Sequence, residues 1–193
     1  MLSTVRFEVR NIGYHHGNLR RAIIDAALQA TAETGPTGWS LRELARRSGV
    51  SHVAPVHHFG DKTGVLTAVA AEGYELFADA LAAAGDDFFE VGVAYVRFAL
   101  SHRAHFQVMF RPDLYRRDDP DVVSAERRAA GILRAGSRTL SGDAGPDRAL
   151  TLAAWSTVHG FASLWLNGSM AESADGDPEA TIRAVLRAAF VRP

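Results

Sequence analysis

The sequence contains no cysteine. That excludes a disulfide framework, thiolate catalysis and every Cys-based zinc site, and it fits a cytoplasmic chain. Lysine is almost as scarce, with Lys62 standing alone. No stretch of about 18 uncharged apolar residues is present, which argues against a membrane span. Residues 1–13 lack the apolar core of about 7–15 residues that marks a signal peptide. HExxH, GxGxxG and GxSxG do not occur, and Gly60-Asp61-Lys62-Thr63 lacks the upstream glycine and strand of a phosphate loop. His159 shares a helix face with Ser156 and Ser163 but has no triad around it. The pairs His15-His16 and His57-His58 are adjacent, so their rings diverge, and no carboxylates complete a ligand set with His102 and His105. An enzyme, a resident metal and a cofactor are therefore not expected.

What is present is an ordinary globular composition: 193 residues, 47% apolar and 22% charged. Disorder and coiled coil are excluded as the main state. The charge is unevenly placed. Residues 1–64 hold eight basic and five acidic side chains, whereas residues 65–193 hold 13 and 17. Five of the eight histidines also fall in the first part. A basic end on a chain of net charge −1 points to a polyanionic partner for that end.

The segment 40–62, SLRELARRSGVSHVAPVHHFGDK, is the most structured signal. Leu41, Leu44 and Ala45 give a first short helix one apolar face. Gly49 stands where a turn needs positive φ, and Val50 follows as an apolar plug. Ser51 is positioned to cap a second short helix. This spacing predicts a helix-turn-helix, whose second helix lies in a DNA major groove. Ahead of it, Leu19, Ile23, Ala26, Ala27 and Ala30 mark one buried helical face over about 18–33. Residues 1–13 alternate Val5, Phe7 and Val9 with charges and read as a mobile arm. Asp61 is the expected cap of a long helix to about residue 84, with Lys62 in its first turn beside free backbone N–H groups, a pairing that suits a phosphate.

The remainder stays helical: about 86–101, 102–110, 120–140, 146–168 and 178–191, with Pro178 at the first position of the last helix. The fold class is therefore all-α, with about nine helices. A three-helix head (residues 14–64, helix-turn-helix about 40–59) is joined by a long helix to a C-terminal helical domain (65–193). Phe98, Phe106, Met109, Phe110, Trp155 and His159 form two aromatic groups of the kind that line small-molecule pockets.

LRRAIIDAALQATAETG at 19–35, SLRELARRSGVS at 40–51 and HHF-x-DK at 57–62, in this order, resemble the TetR family of bacterial transcriptional regulators. The opening YHHGNLR and the Ala54-Pro55 pair resemble one subclass, whose C-terminal domain carries Trp-x-x-x-His-Gly. Trp155, His159 and Gly160 match that motif. The resemblance implies a homodimer whose paired heads read a pseudo-palindromic double-stranded operator. It further implies a pocket for a small-molecule effector in each C-terminal domain, and heads that spread on ligand binding, usually with release of DNA. Ser40 then falls on a phosphate-contacting hydroxyl and Lys62 on a phosphate-binding lysine. His52, Ala54, Pro55 and His57 fall on the groove side of the recognition helix, with Arg42, Ser51 and His58 beside them. The last two helices build the dimer interface, which assigns to it Ser163, Leu164, Ile182, Val185, Leu186, Ala189 and Phe190. Val56 departs from the subclass, which commonly has a phosphate-binding tyrosine there. Its loss removes on the order of one kcal/mol, and Val56 is expected to pack inward instead. The leading expectation is a ligand-responsive repressor. The alternative is a helical small-molecule carrier with an impaired head.

Overall fold

The computed structural model describes residues 16–141, 148–170 and 176–191. The expected arm at 1–13 and the links at 142–147 and 171–175 lie outside the described residues. Within them the chain forms nine α-helices and no strand, as the periodicity predicts.

The head is α1 (His16–Thr34), α2 (Leu41–Arg47) and α3 (Ala54–Phe59). α1 buries Ile23, Ala26, Ala27 and Ala30, and Ile24 beside them. Trp39 is buried beneath it and donates its indole N–H to Thr31 Oγ1 at 3.0 Å. Ser40 caps α2, its Oγ accepting from the Glu43 backbone N–H at 3.2 Å. Arg47 ties α2 to α1 through Glu43 and Glu33. Gly49 takes φ +67 in the turn, as its sequence position requires.

The start of α3 differs from expectation. Val53, not Ser51, is the N-cap, and Ser51 serves the turn by accepting from the Ala54 N–H through its carbonyl at 3.0 Å. Pro55 is the reason. A helix capped at Ser51 would place Pro55 past its first turn, where its N–H would be needed and its ring would meet the Ser51 carbonyl. Starting at Ala54 keeps the proline in the first turn.

α4 (Lys62–Ala83) is capped by Asp61, whose Oδ1 accepts from the Gly64 N–H at 2.7 Å. Gly64 packs directly on the end of α3: a Cβ there would lie 1.9 Å from the Phe59 carbonyl oxygen. α5 (Phe88–Ser101) starts at the cap Asp87 and is buried on almost every side. α6 (Arg103–Met109) is short, α7 (Pro120–Ser141) packs along α4, and α8 (Arg148–Leu166) and α9 (Pro178–Phe190) cover α5. Asp177 caps α9 through the Glu179 and Ala180 N–H groups, with Pro178 in the first turn. One contiguous apolar core runs from Ile23 to Leu186. α4 therefore serves both the head and the C-terminal bundle, and the two are packed together rather than hung on a linker.

Candidate nucleic-acid interface and effector cavity

The outward face of the head is a shallow groove between α2 and α3, lined by Ser40, Arg42, Arg46, His52 and Val56 among others. The ion pairs described here engage Arg47 and leave Arg42 and Arg46 pointing outward. Ser40, Ser51, His52 and His57 are exposed, and His58 is half-buried with its ring edge-on to His57. Two assignments made from sequence are corrected. Ala54 and Pro55 are buried, because the later start of α3 turns them toward the head's core. The same shift turns Val56 outward, 51% exposed, with Val53 at 58%. Val53 and Arg46 had no signal beyond an ordinary helical pattern.

Lys62 is less free than its helix-start position suggests. Its ammonium donates to the carbonyls of Trp39 at 2.7 Å and Thr37 at 3.0 Å, and lies 4.2 Å from the centre of the Trp39 ring. Burial lowers its pKa. It pins the loop that leads into Ser40, and of its three N–H donors one remains to offer an incoming anion.

A second site lies inside the C-terminal bundle. A cavity of ≈ 690 Å³ is walled by Tyr74 and Phe77 of α4, Met109 and Phe110 at the end of α6, Leu133 of α7, and Trp155 and His159 of α8. That volume is usual for a small-molecule pocket, about 300–1,000 Å³. The hydroxyls of Tyr74 and Tyr115 both donate to the Met109 carbonyl, at 3.0 and 2.9 Å, so these residues offer the cavity mainly their rings. Phe98 and Phe106, expected in the wall, are not in it. Phe98 is core, packed on Phe77 and stacked on His102, and Phe106 backs the His159 ring from behind. Their helical phase resembled that of the true wall residues, and periodicity alone cannot separate the two.

His159 is held by a chain that fixes its proton. The Trp155 indole N–H donates to the Tyr95 hydroxyl at 3.3 Å, and the Tyr95 hydroxyl lies 2.9 Å from His159 Nδ1. With its oxygen accepting from Trp155, the hydroxyl gives its proton to Nδ1. The ring proton then sits on Nε2, the donor His159 has left for a ligand. Burial lowers the His159 pKa and raises that of Tyr95 well above its usual value, so both stay neutral.

On the outside of the bundle, Ser163 is half-buried, and Leu164, Val185 and Ala189 are exposed along α8 and α9. Ile182 and Leu186, assigned from sequence to a dimer face, are fully buried in the subunit's own core. Phe190 is half-buried against Phe88. These three face α5 because α9 needs one apolar stripe simply to stay attached.

Residues 23–69 match the bacterial regulatory proteins of the tetR family, and residues 88–189 match a tetracyclin repressor-like C-terminal domain. The chain belongs to the TetR family. The TetR head signature covers α2, α3 and most of α1, and the C-terminal match covers the cavity and α9. The Escherichia coli HTH-type transcriptional regulator BetI is 45% identical over 49 residues, which is 25% of either chain. The match thus spans a quarter of that curated relative's length. A solved structure of a protein of unknown function from Rhodococcus sp. RHA1 is 32% identical, with TM-score 0.72 over 93% of this chain and 96% of that one. A tetR-family regulatory protein from Rhodococcus RHA1, 20% identical, shares the fold with TM-score 0.66 over 89% and 95% of the two chains. No described helix is long and apolar enough to cross a membrane.

Proposed function

We propose that this TetR-family chain is a homodimeric, ligand-responsive transcriptional repressor acting in the cytoplasm, in the subclass with Trp-x-x-x-His-Gly in its C-terminal domain. Residues 14–64 are the reading head, and residues 65–193 receive the effector and form the dimer. The observation that carries the reading is the head's outward face, where Ser40, Arg42, Arg46, His52, Val56 and His57 all project from α2, α3 and their caps. Arg42, Arg46, the Ser40 hydroxyl and the spare donor of Lys62 serve phosphates, which set affinity and register. His52 and His57 reach base edges, and Val53 and Val56 suit thymine methyl groups. A carrier with an impaired head is not favoured, since Val56 faces the groove instead of collapsing inward.

Dimerisation through the outward residues of α8 and α9, Ser163, Leu164, Val185 and Ala189, places two heads on a pseudo-palindromic operator. A route for response is built into the loop between α6 and α7. Tyr115 and Arg117 line the cavity, while Arg116 between them pairs with Asp61 at 2.8 Å and donates its backbone N–H to Thr67 Oγ1 at 3.1 Å. A ligand that moves this loop acts on the start of α4, directly after the recognition helix. Its effect is limited to its differential affinity for the two head positions.

The test is selection of bound duplexes from a random double-stranded library, followed by anisotropy of the selected site at rising salt. Binding is expected to fall steeply with salt, and His52→Ala to change the selected bases. Weak binding at low salt with no selected motif would overturn the proposal.

A further inference from the structure

We propose that the effector of this cavity is an amphipathic anion, with an apolar body seated on the aromatic walls and a carboxylate or phosphate head at the rim. The inference rests on reading the cavity as an effector site and names the chemistry that site takes.

The inner walls are apolar in what they present. The Tyr74 and Tyr115 hydroxyls are committed to the Met109 carbonyl, which leaves rings, a thioether and Leu133 facing the space. His159 Nε2–H is the inner donor. The rim is different. Arg117 comes from the α6–α7 loop, Arg134 and Arg138 from one ridge of α7, and Arg148 from the start of α8. Glu126 is the one carboxylate in the described lining.

Two contrasts make this rim specific. Residues 65–193 carry 13 basic and 17 acidic side chains, so an arginine-rich cavity mouth runs against the charge of its own domain. Elsewhere in the described chain, Arg21, Arg47, Arg97, Arg111, Arg116, Arg128 and Arg183 each hold a carboxylate within 3.0 Å. Among the described ion pairs the rim arginines hold none. Arg134 and Arg138 also stand at i and i+4, where like charges repel slightly, and a shared anion relieves that repulsion. Guanidinium forks suit carboxylate and phosphate oxygens. A cationic effector would meet four like charges, and a neutral one would gain nothing from them.

Isothermal titration of the full chain with decanoate, decyl phosphate, 1-decanol and decyltrimethylammonium, all below micellar concentration, tests this. At least one anion is expected to bind about tenfold tighter than 1-decanol, with the ammonium weakest. The tighter of the two anions assigns the head group. In the double variant Arg134→Gln/Arg138→Gln, both exposed positions, the anion should fall to within about twofold of 1-decanol while 1-decanol is unchanged. Arg103→Gln, an exposed arginine outside the lining, should alter none of the four. If 1-decanol or the ammonium binds wild type as tightly as the anions, or if Arg103→Gln weakens the anion as much as the rim variant does, the charge class is wrong and the effector site stands. If none of the four binds, the effector reading falls with it.

Discussion

Every group on the outward face of the head comes from one short stretch of sequence, Ser40 to Lys62, and each is placed by a local device: a cap, a glycine turn or a proline in a first turn. The cavity draws on residues from Tyr74 to His159, contributed by four helices and a loop. The head is therefore a local object and the cavity a global one. Perturbing a cap or turn should disable the head alone. The cavity should respond to changes anywhere in the bundle and tolerate loss of single wall residues.

The largest effect that sharpens this contrast is expected from Gly64→Ala. Its Cβ would press on the Phe59 carbonyl, and backbone cannot yield as a side chain can. We expect a loss of about 3 kcal/mol in urea unfolding, the upper end of ordinary overpacking. DNA binding should be abolished while decyl-probe binding persists. Loss of both together would break the local-versus-global distinction.

Next in size is Arg42→Ala/Arg46→Ala. If these arginines touch phosphates, the slope of log affinity against log salt should shrink by about 2, one unit per lost contact. Effector binding should not change, and an unchanged slope would remove both residues from the interface.

Acidification probes the cavity side. Burial holds His159 neutral in the folded chain, whereas the unfolded chain protonates it. The unfolded state therefore binds more protons as pH falls through about 6.5, and stability falls with it. His102, also lowered by burial and by His105, acts with the same sign. The drop in melting temperature from about pH 7.5 to about pH 5.5 should be smaller in His159→Gln than in wild type. An equal drop would mean that His159 does not titrate differently on folding.

The smallest effect is expected from Val56→Ala. It should leave stability within about 0.5 kcal/mol, as for exposed sites in general, and relax a thymine preference at one operator position in the library selection. An unaltered motif would take Val56 out of base contact.

Much of the head was legible because its signals are local. Ser40, Gly49, Asp61 and Pro178 each stand where one residue type solves one backbone problem, and the structure uses them so. Pro55 was equally local, yet its consequence for the start of α3 was overlooked. That error alone misplaced Ala54, Pro55 and Val56. The cavity was legible only in part. Met109, Phe110, Trp155 and His159 line it, but Tyr74, Phe77 and Leu133 carry the same helical period as core residues. Whether such a residue faces a void or a neighbour is decided by helix crossing, which no single helix encodes. Tyr95, which fixes the His159 proton, lies 64 positions away in sequence. Ile182 and Leu186 show the converse error, an apolar stripe read as a partner-facing surface when the subunit itself consumes it.

Lys62 has a further consequence, for entropy. An ordinary surface lysine that grips a phosphate gives up about 1.5–2 kcal/mol of rotamer freedom in doing so. Here the ammonium is already fixed on the Thr37 and Trp39 carbonyls and over the Trp39 ring before any DNA arrives. Folding has absorbed that ordering, so a phosphate reaching the remaining N–H meets a cation with little motion left to lose.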